Sequence, residues 1–229
     1  MKVIATSDLH GQLENLDFSE ADLVIIAGDF SKMTGWGKWQ LHEQKKWIEN
    51  KFIPLTQQYK NAQFAIIAGN HDLIFDQAFV NHIHDLNWKI NWPENVHYLF
   101  DNQIEINDLK IYGTPWIPII NYRWAFETEH DKLIQKFSKI PTDLDILITH
   151  APPRISGSDV DFSIQTNDGP FGSSELTQEI FMKQPKYVFC GHIHSGDHNV
   201  CEFEKSKICN VSRLDENYSI AYEPVILEI

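Results

Sequence analysis

The chain is poor in cysteine, lacks any basic tract and has no apolar run long enough to cross a bilayer. Its 229 residues include three cysteines, Cys190, Cys201 and Cys209, an odd number without Cys-x-x-Cys spacing. That argues against a disulfide framework and a thiolate metal site, and the simplest expectation is reduced thiols in a cytoplasmic protein. Lys and Arg number 19 against 32 Asp and Glu, a formal net charge of −13. Proteins that hold long nucleic acid do so with Lys and Arg that release phosphate counterions, so long nucleic acid is not an expected partner. A phosphate substrate stays open, because bound divalent cations would invert the local field. No apolar stretch approaches the roughly 20 residues that span a membrane. Met1-Lys2 leads directly into a first strand, so neither a membrane segment nor a signal peptide is expected. Internal repeats and low-complexity segments are also missing.

The hydrophobic content of 42% and aromatic content of 12% suffice for a packed core. Five apolar stretches each end on residues able to ligate a metal. Val3-Ile4-Ala5-Thr6 leads to Asp8 and His10, and Leu23-Val24-Ile25-Ile26-Ala27-Gly28 leads to Asp29. Phe64-Ala65-Ile66-Ile67-Ala68-Gly69 leads to Asn70 and His71. Leu144–Thr149 leads to His150, and Tyr187–Gly191 leads to His192 and His194. Near-continuous apolar runs are what strands buried on both faces require. Ligands at their carboxyl ends follow the rule for open α/β sheets. The five runs span most of the chain, so a shared site implies one domain over residues 1–229.

Between these runs the pattern alternates. Trp39–Tyr59 has helical spacing, with Pro54 expected to kink or end the helix. Asp76–Leu86 and Glu127–Phe137 are expected helices, the second with Leu133, Ile134 and Phe137 inward. Short strands are expected at Val96–Phe100, Gln103–Ile106 and Lys110–Tyr112, with an Asn107-Asp108 hairpin turn. Ser173–Met182 is an expected helix with Ser173 or Ser174 as N-cap. Val200–Phe203, Lys207–Val211 and Tyr218–Leu227 are the last expected strands, and the 152–172 stretch is a long loop placed to wall the site. Strands alternate with helices and then cluster, which implies a mixed β core covered by helices.

Asp8-Leu9-His10 and His192-Ile193-His194 place ligands at i and i+2. On an extended segment those side chains share a face, so both can reach one ion. Asp29 can bridge two cations, and Gly69-Asn70-His71-Asp72 offers an amide oxygen, an imidazole and a supporting carboxylate. In this order, Asp8-Leu9-His10, Gly28-Asp29, Gly69-Asn70-His71-Asp72, Thr149-His150 and Gly191-His192-Ile193-His194 resemble the calcineurin-like metallophosphoesterase superfamily. Tyr112-Gly113-Thr114-Pro115-Trp116, Trp124-Ala125-Phe126 and Thr149-His150-Ala151-Pro152-Pro153 look like one branch of it. That branch contains the metallophosphoesterase-domain-containing proteins and is similar to class III cyclic-nucleotide phosphodiesterases.

The resemblance implies an α/β fold, a four-layer α/β/β/α sandwich with a two-metal site between the sheets. It places Asp8, His10, Asp29 and His194 on one ion, and Asp29, Asn70, His150 and His192 on the other. Oxygen and nitrogen donors suit Mn²⁺, Fe²⁺ or Zn²⁺. Two such ions, roughly 3.5–4 Å apart, clamp a phosphoryl group, and a hydroxide between them is the expected nucleophile. His71 is the candidate general acid, with Asp72 to orient it or support its protonated form. Arg154 is a candidate for binding substrate phosphate, and Trp116 and Trp124 for stacking or for the pocket wall. His82-Ile83-His84 falls in an expected helix, where i and i+2 diverge, and receives no metal role.

The function expected is hydrolysis of a phosphate ester, a phosphodiester on a small nucleotide-like molecule being favoured by the branch resemblance. Phosphomonoesterase or protein phosphatase, nuclease, and metal-dependent nucleotide-binding regulator with little turnover are the rivals. The sequence leaves oligomeric state open.

Overall fold

The structure is a computed structural model and describes residues 1–81, 89–155, 164–165, 169–170 and 172–229. β1 (Lys2–Thr6) and β2 (Leu23–Ala27) run parallel, with Val3 beside Leu23 and Thr6 beside Ile26. α1 (Lys38–Trp47), one wide π turn (Ile48–Phe52) and α2 (Ile53–Thr56) then lead to β3 (Gln63–Ile67), parallel to β2. Pro54 acts through that wide turn. The Ile53 amide donates to Ile48, five residues back, so the helix widens just before the proline and continues to Thr56. α3 (Gln77–Val80) is capped by the Asp76 carboxylate, which accepts from the Ala78 amide. The rest of the expected Asp76–Leu86 helix, with His82 and His84, lies largely outside the described residues. β4 (Val96–Tyr98) completes the parallel run.

The second sheet begins with a hairpin, β5 (Asn102–Ile106) and β6 (Leu109–Thr114). Its turn residues Asn107 and Asp108 have φ of 49° and 65°, as a two-residue turn with both centres left-handed requires. A ribbon of β7 (Ile117–Pro118) and β8 (Glu127–Thr128) precedes α4 (His130–Phe137). The helix expected from Glu127 starts late for a physical reason. The Glu127 carboxylate accepts from the amides of Ile120, Asn121 and Trp124, holding that residue to a loop. Leu133 and Phe137, four apart, are buried, whereas Ile134 lies around the helix and is 44% exposed, a correction to its expected inward placement.

β9 (Ile146–Thr149) and the ribbon β10 (Ile164–Gln165) with β11 (Gly169–Pro170) follow. α5 (Ser174–Lys183) is capped by Ser173, which accepts from the Leu176 amide. β12 (Tyr187–Cys190), β13 (Cys201–Phe203) and β14 (Ser206–Asn210) complete a sheet ordered β13-β14-β12-β9-β6-β5. β15 (Val225–Glu228) returns to the first sheet and pairs antiparallel with β1, giving β15-β1-β2-β3-β4. The strand expected over Tyr218–Leu227 is therefore shorter and later. Residues 215–219 form a turn, in which the Asp215 carboxylate accepts from the Asn217 and Ser219 amides.

Strand alternation builds three apolar layers from these two sheets. Val3, Ala5, Leu23, Ile25, Ala65 and Ile67 meet Ile111, Ile146, Ile148, Phe189 and Cys209 between the sheets. The opposite faces of the first sheet, Ile4, Val24, Ile26, Phe64 and Ile66, pack with Leu41, Ile48 and Phe52 of the helical segment. Leu147, Val188, Cys190 and Ile208 on the outer face of the second sheet pack with Leu133, Phe137, Leu176 and Ile180 of α4 and α5. Helix, sheet, sheet and helix thus stack as an α/β sandwich, and both faces of the parallel strands are apolar.

Candidate metal centre

The strands place their carboxyl ends along one edge. Asp8 follows β1, Asp29 follows β2 and Asn70 follows β3, while His150 follows β9 and His192 and His194 follow β12. A parallel bridge between Ser7 and Ser212 ties the two sheets beside this edge. Three groups have ligand atoms within 4.8 Å of one another: Asp8, His10 and His194; Asp8, Asp29 and His150; and His10, Asp29 and His71. The Oδ1 of Asn70 is 2.9 Å from His150 Nε2, and the His192 ring lies 5.0 Å from that of His150. The structure therefore gathers all seven sequence-predicted ligands, and His71 with them.

They converge by a route different from the expected one. Asp8, His10 and His192 are not on extended backbone; their φ values are 53°, 44° and 72°, and that of Asp29 is 50°. Non-glycine residues in the left-handed region are uncommon and cluster at functional sites. The carbonyls of Gly28, Asp29 and Phe30 hold the Asp8–Gly11 turn by accepting from the amides of Asp8, His10 and Gly11. Turns, not strand alternation, aim both members of each pair.

Glycines before the ligands allow the close approach. A Cβ on Gly69 would overlap the Asp29 carboxylate, and one on Gly191 would overlap Ser7 Oγ and the Asp8 carboxylate. Each ligand thus passes over bare backbone of another strand end.

The protonation pattern tests whether cations fit. The His150 Nδ1–H donates to the Ala27 carbonyl at 2.9 Å, which turns Nε2 toward Asn70 Oδ1 and, at 3.3 Å, Asp29 Oδ2. The His194 Nδ1–H donates to the Asp215 carbonyl, which turns its Nε2 toward Asp8 Oδ1 at 3.4 Å and His10 Nε2 at 3.2 Å. Imidazole and oxygen lone pairs face one another, an arrangement that needs a proton or a cation between them. In the metal-free fold protons serve. Burial alone would lower the His150 pKa, but Asp29 outweighs it and the group rises to about 9. His194 likewise rises to about 9 against burial, held by Asp8. Burial pushes His10 down to about 4 and His192 down to about 3, so both stay neutral and keep a nitrogen lone pair.

Asp8 and Asp29 are buried, yet burial is outweighed and both carboxyls stay below the usual range, Asp8 through His194 and Asp29 through His150. Asp8 also accepts from the hydroxyls of Ser7 and Ser212 and from the His192 amide. No Lys or Arg is among the described residues lining the two clefts at this edge. Two buried carboxylates, an amide oxygen and imidazole nitrogens, with no Lys or Arg beside them in the described lining, form a donor set that fits divalent ions.

The remaining candidates divide. His71 opens on both clefts, 4.6 Å from the His10 ring, with Nε2 4.0 Å from Asp29 Oδ2 and the Trp124 ring 4.2 Å behind it. Asp72 does not orient it. The Asp72 carboxylate accepts from the amides of Phe30, Ser31 and Gly69 and from the Ser31 hydroxyl, with no hydrogen bond to His71 among the described residues. It braces the loops after β2 and β3. Arg154 is exposed, its backbone pairs with Ser173, and it lies outside the described cleft lining. Trp116 donates from Nε1 to Asp101 and carries the Lys136 ammonium over its ring, away from the clefts. Tyr218 and Trp36, neither of them a candidate in the sequence analysis, line a cleft with His71 and Trp124. The signal available for Tyr218 was Asp215-Glu216-Asn217, a turn former in place of a strand.

The calcineurin-like phosphoesterase model matches residues 1–196. A UPF0046 protein of Caenorhabditis elegans is 32% identical over 96% of this chain. The chain spans 58% of that relative's length. Human metallophosphoesterase domain-containing protein 1 is 28% identical over 100% of this chain and 71% of its own. In fold, the phosphopantetheinyl hydrolase PptH of Mycobacterium tuberculosis aligns with TM-score 0.51 at 16% identity, covering 92% of this chain and 88% of that one. With the strand ends that carry Asp8 through His194 inside the matched span, this chain belongs to the calcineurin-like phosphoesterase family.

Proposed function

We propose that this chain is a two-metal phosphodiesterase for a small nucleotide-like substrate, a single domain working in the cytoplasm. The observation that carries the reading is the convergence of Asp8, His10, Asp29, Asn70, His150, His192 and His194 on one edge, with no Lys or Arg among the described cleft lining. Asp8, His10, Asp29 and His194 would hold one ion, and Asp29, Asn70, His150 and His192 the other. Bound divalent ions, Mn²⁺, Fe²⁺ or Zn²⁺, supply Lewis acidity toward phosphoryl oxygens and acidify water. The core shared between the sheets supports one domain, and the three free cysteines support a reducing compartment.

The cleft chemistry favours a diester. A cleft of about 240 Å³ lined by Asp29, Asn70, His192 and Glu216 meets one of about 460 Å³ lined by His10, Gln12 and Trp36. They share His71, Trp124 and Tyr218, so a phosphorus at the centre has space for a substituent on each side. A diester carries one negative charge, a monoester up to two. A lining with Glu216 and without Lys or Arg among its described residues suits the lesser charge.

His71 supplies the proton to the leaving oxygen. Burial lowers its pKa while Asp29 opposes that, so its protonated form is a stronger acid than a solvated imidazolium. Trp124 behind the ring and the Gln44 amide on the His71 carbonyl, at 2.6 Å, fix its position.

The test is hydrolysis of paired aryl phosphate monoester and diester substrates by metal-free enzyme reloaded with Mn²⁺. Faster diester cleavage, lost in Asp29→Asn, is expected. His71→Ala should keep its metal content and lose about 10²–10⁴ in turnover. Preferential monoester cleavage would move the substrate to phosphatase chemistry. Full metal loading without turnover on either substrate would leave a binding protein.

A further inference from the structure

Beside the candidate metal centre the chain places two large aromatic side chains on solvent-facing positions, with the half-buried Trp124 next to them. Trp36 is 50% exposed and Tyr218 is 47% exposed. The Trp36 ring meets Trp124 at 4.8 Å, and Trp124 lies against His71 at 4.2 Å. Across the floor, Tyr218 packs edge-on to His10 at 4.8 Å and to His194 at 5.3 Å. These rings frame the cleft of about 460 Å³. Tyr218 is fixed there by its backbone, because its carbonyl accepts from Gln12 Nε2 at 2.8 Å and its φ is 59°. Exposed aromatics with apolar faces gain little by remaining in water and are a recurring means of holding planar ligands.

We infer that the cleft between Trp36–Trp124 and Tyr218 is a stacking subsite for a planar heteroaromatic group, a nucleobase, attached to the phosphate at the metal centre. The inference rests on the phosphodiesterase reading and names the group that the larger cleft takes. Position supports it: His71 belongs to both the cleft and the candidate reaction site, so an occupant of one is within reach of the other. Charge supports it too, because the described lining holds no Lys or Arg for a second phosphate. The polar lining is sparse. Besides the histidines, its polar side-chain groups are Gln12, Thr34, the Tyr218 hydroxyl and the two indole N–H groups; the Gln12 amide is engaged with the Tyr218 carbonyl and the Thr34 hydroxyl with Gln40. Recognition is therefore by stacking rather than by reading base edges, and the site accepts purines and pyrimidines with only the preference that ring area confers.

The experiment compares phosphates that differ only in the base. AMP, CMP and ribose 5-phosphate are titrated into Mn²⁺-loaded enzyme by calorimetry, with tryptophan fluorescence as a second readout. AMP is expected to bind roughly 5- to 100-fold more tightly than ribose 5-phosphate, the range for one base stacked on an aromatic ring, and CMP somewhat less. AMP should also quench tryptophan emission where ribose 5-phosphate does not. Trp36→Ala should bring the affinity ratio toward one, and Trp36→Phe should retain most of it. Tyr218→Leu serves as the independent second variant.

Equal affinity for AMP and ribose 5-phosphate would overturn the subsite while leaving the phosphoesterase reading intact. A ratio unchanged in both Trp36→Ala and Tyr218→Leu would place the base elsewhere and overturn it as well. Failure of all three phosphates to bind the loaded enzyme would remove the phosphoesterase reading and the subsite with it.

Discussion

At two residues protons stand where the proposed ions would bind, and that makes metal loading pH-dependent in a stated direction. In the metal-free fold His150 and His194 carry pKa values of about 9, raised against burial by Asp29 and Asp8 respectively. Both are above the ordinary histidine value, so their contribution to stability is fully present below about pH 6.5 and is lost as pH rises through about 9. Ligation needs the neutral imidazole, so metal uptake at neutral pH must expel a proton from each. His10 and His192, at about 4 and about 3, have none to give. Titrating Mn²⁺ into metal-free protein near pH 7.5, in buffers of different ionisation enthalpy, should show release of protons from these two histidines. Apparent affinity should climb with pH up to about 9. Buffer-independent heats would mean that His150 and His194 do not lose protons to the metal.

At the scale of the element, the strand ends were legible because burial on both faces leaves no room for polar residues until a strand stops. Leu23–Ala27 and Ile146–Thr149 are buried throughout, and the next polar side chains, Asp29 and His150, are the ones that matter. The geometry of the turns was not legible, because nothing in Asp8-Leu9-His10 marks Asp8 and His10 as left-handed. Ile134 was misplaced because helical spacing admits it to the apolar stripe and only the neighbour that covers the stripe decides its edge. Asp72 was misread for a related reason. Sequence adjacency to His71 suggested a partner, while the loop folds its carboxylate back on Gly69 and across to Phe30 and Ser31. Three backbone amides and a hydroxyl donate to that one buried group. In Asp72→Asn an amide nitrogen must face donors, leaving buried N–H groups unpaired at about 1–3 kcal/mol. The variant should melt lower, and the fraction that stays folded and metal-loaded should keep the wild-type pH profile of turnover. A displaced pH profile at unchanged melting temperature would instead return Asp72 to the role of His71's partner.

For the whole molecule, the two sheets supply the donor set unequally and neither completes it. Asp8, His10, Asp29 and Asn70 follow strands of the first sheet, while His150, His192 and His194 follow strands of the second. Beside the apolar layer between the sheets, this end is joined by the Ser7–Ser212 bridge, by the Arg213 amide on the Ser7 carbonyl, by His150 on the Ala27 carbonyl and Asn70, and by hydrogen bonds that cross to Asp8 from Ser212 and the His192 amide. An ion that takes ligands from both sheets therefore acts as a clasp on the sandwich, and its binding free energy adds to the stability of the fold. At a hundredfold excess over the dissociation constant one such ion contributes about 2.7 kcal/mol. The melting temperature should rise with Mn²⁺ concentration and fall on chelation. Amide exchange should slow together at Ser7–Gly11, Gly69–His71, His150–Ala151 and Gly191–His194, with little change at β4 or β13, far from the clasp. Protection confined to one sheet would mean that the ion is held by that sheet alone, and the two-sided centre would have to be redrawn.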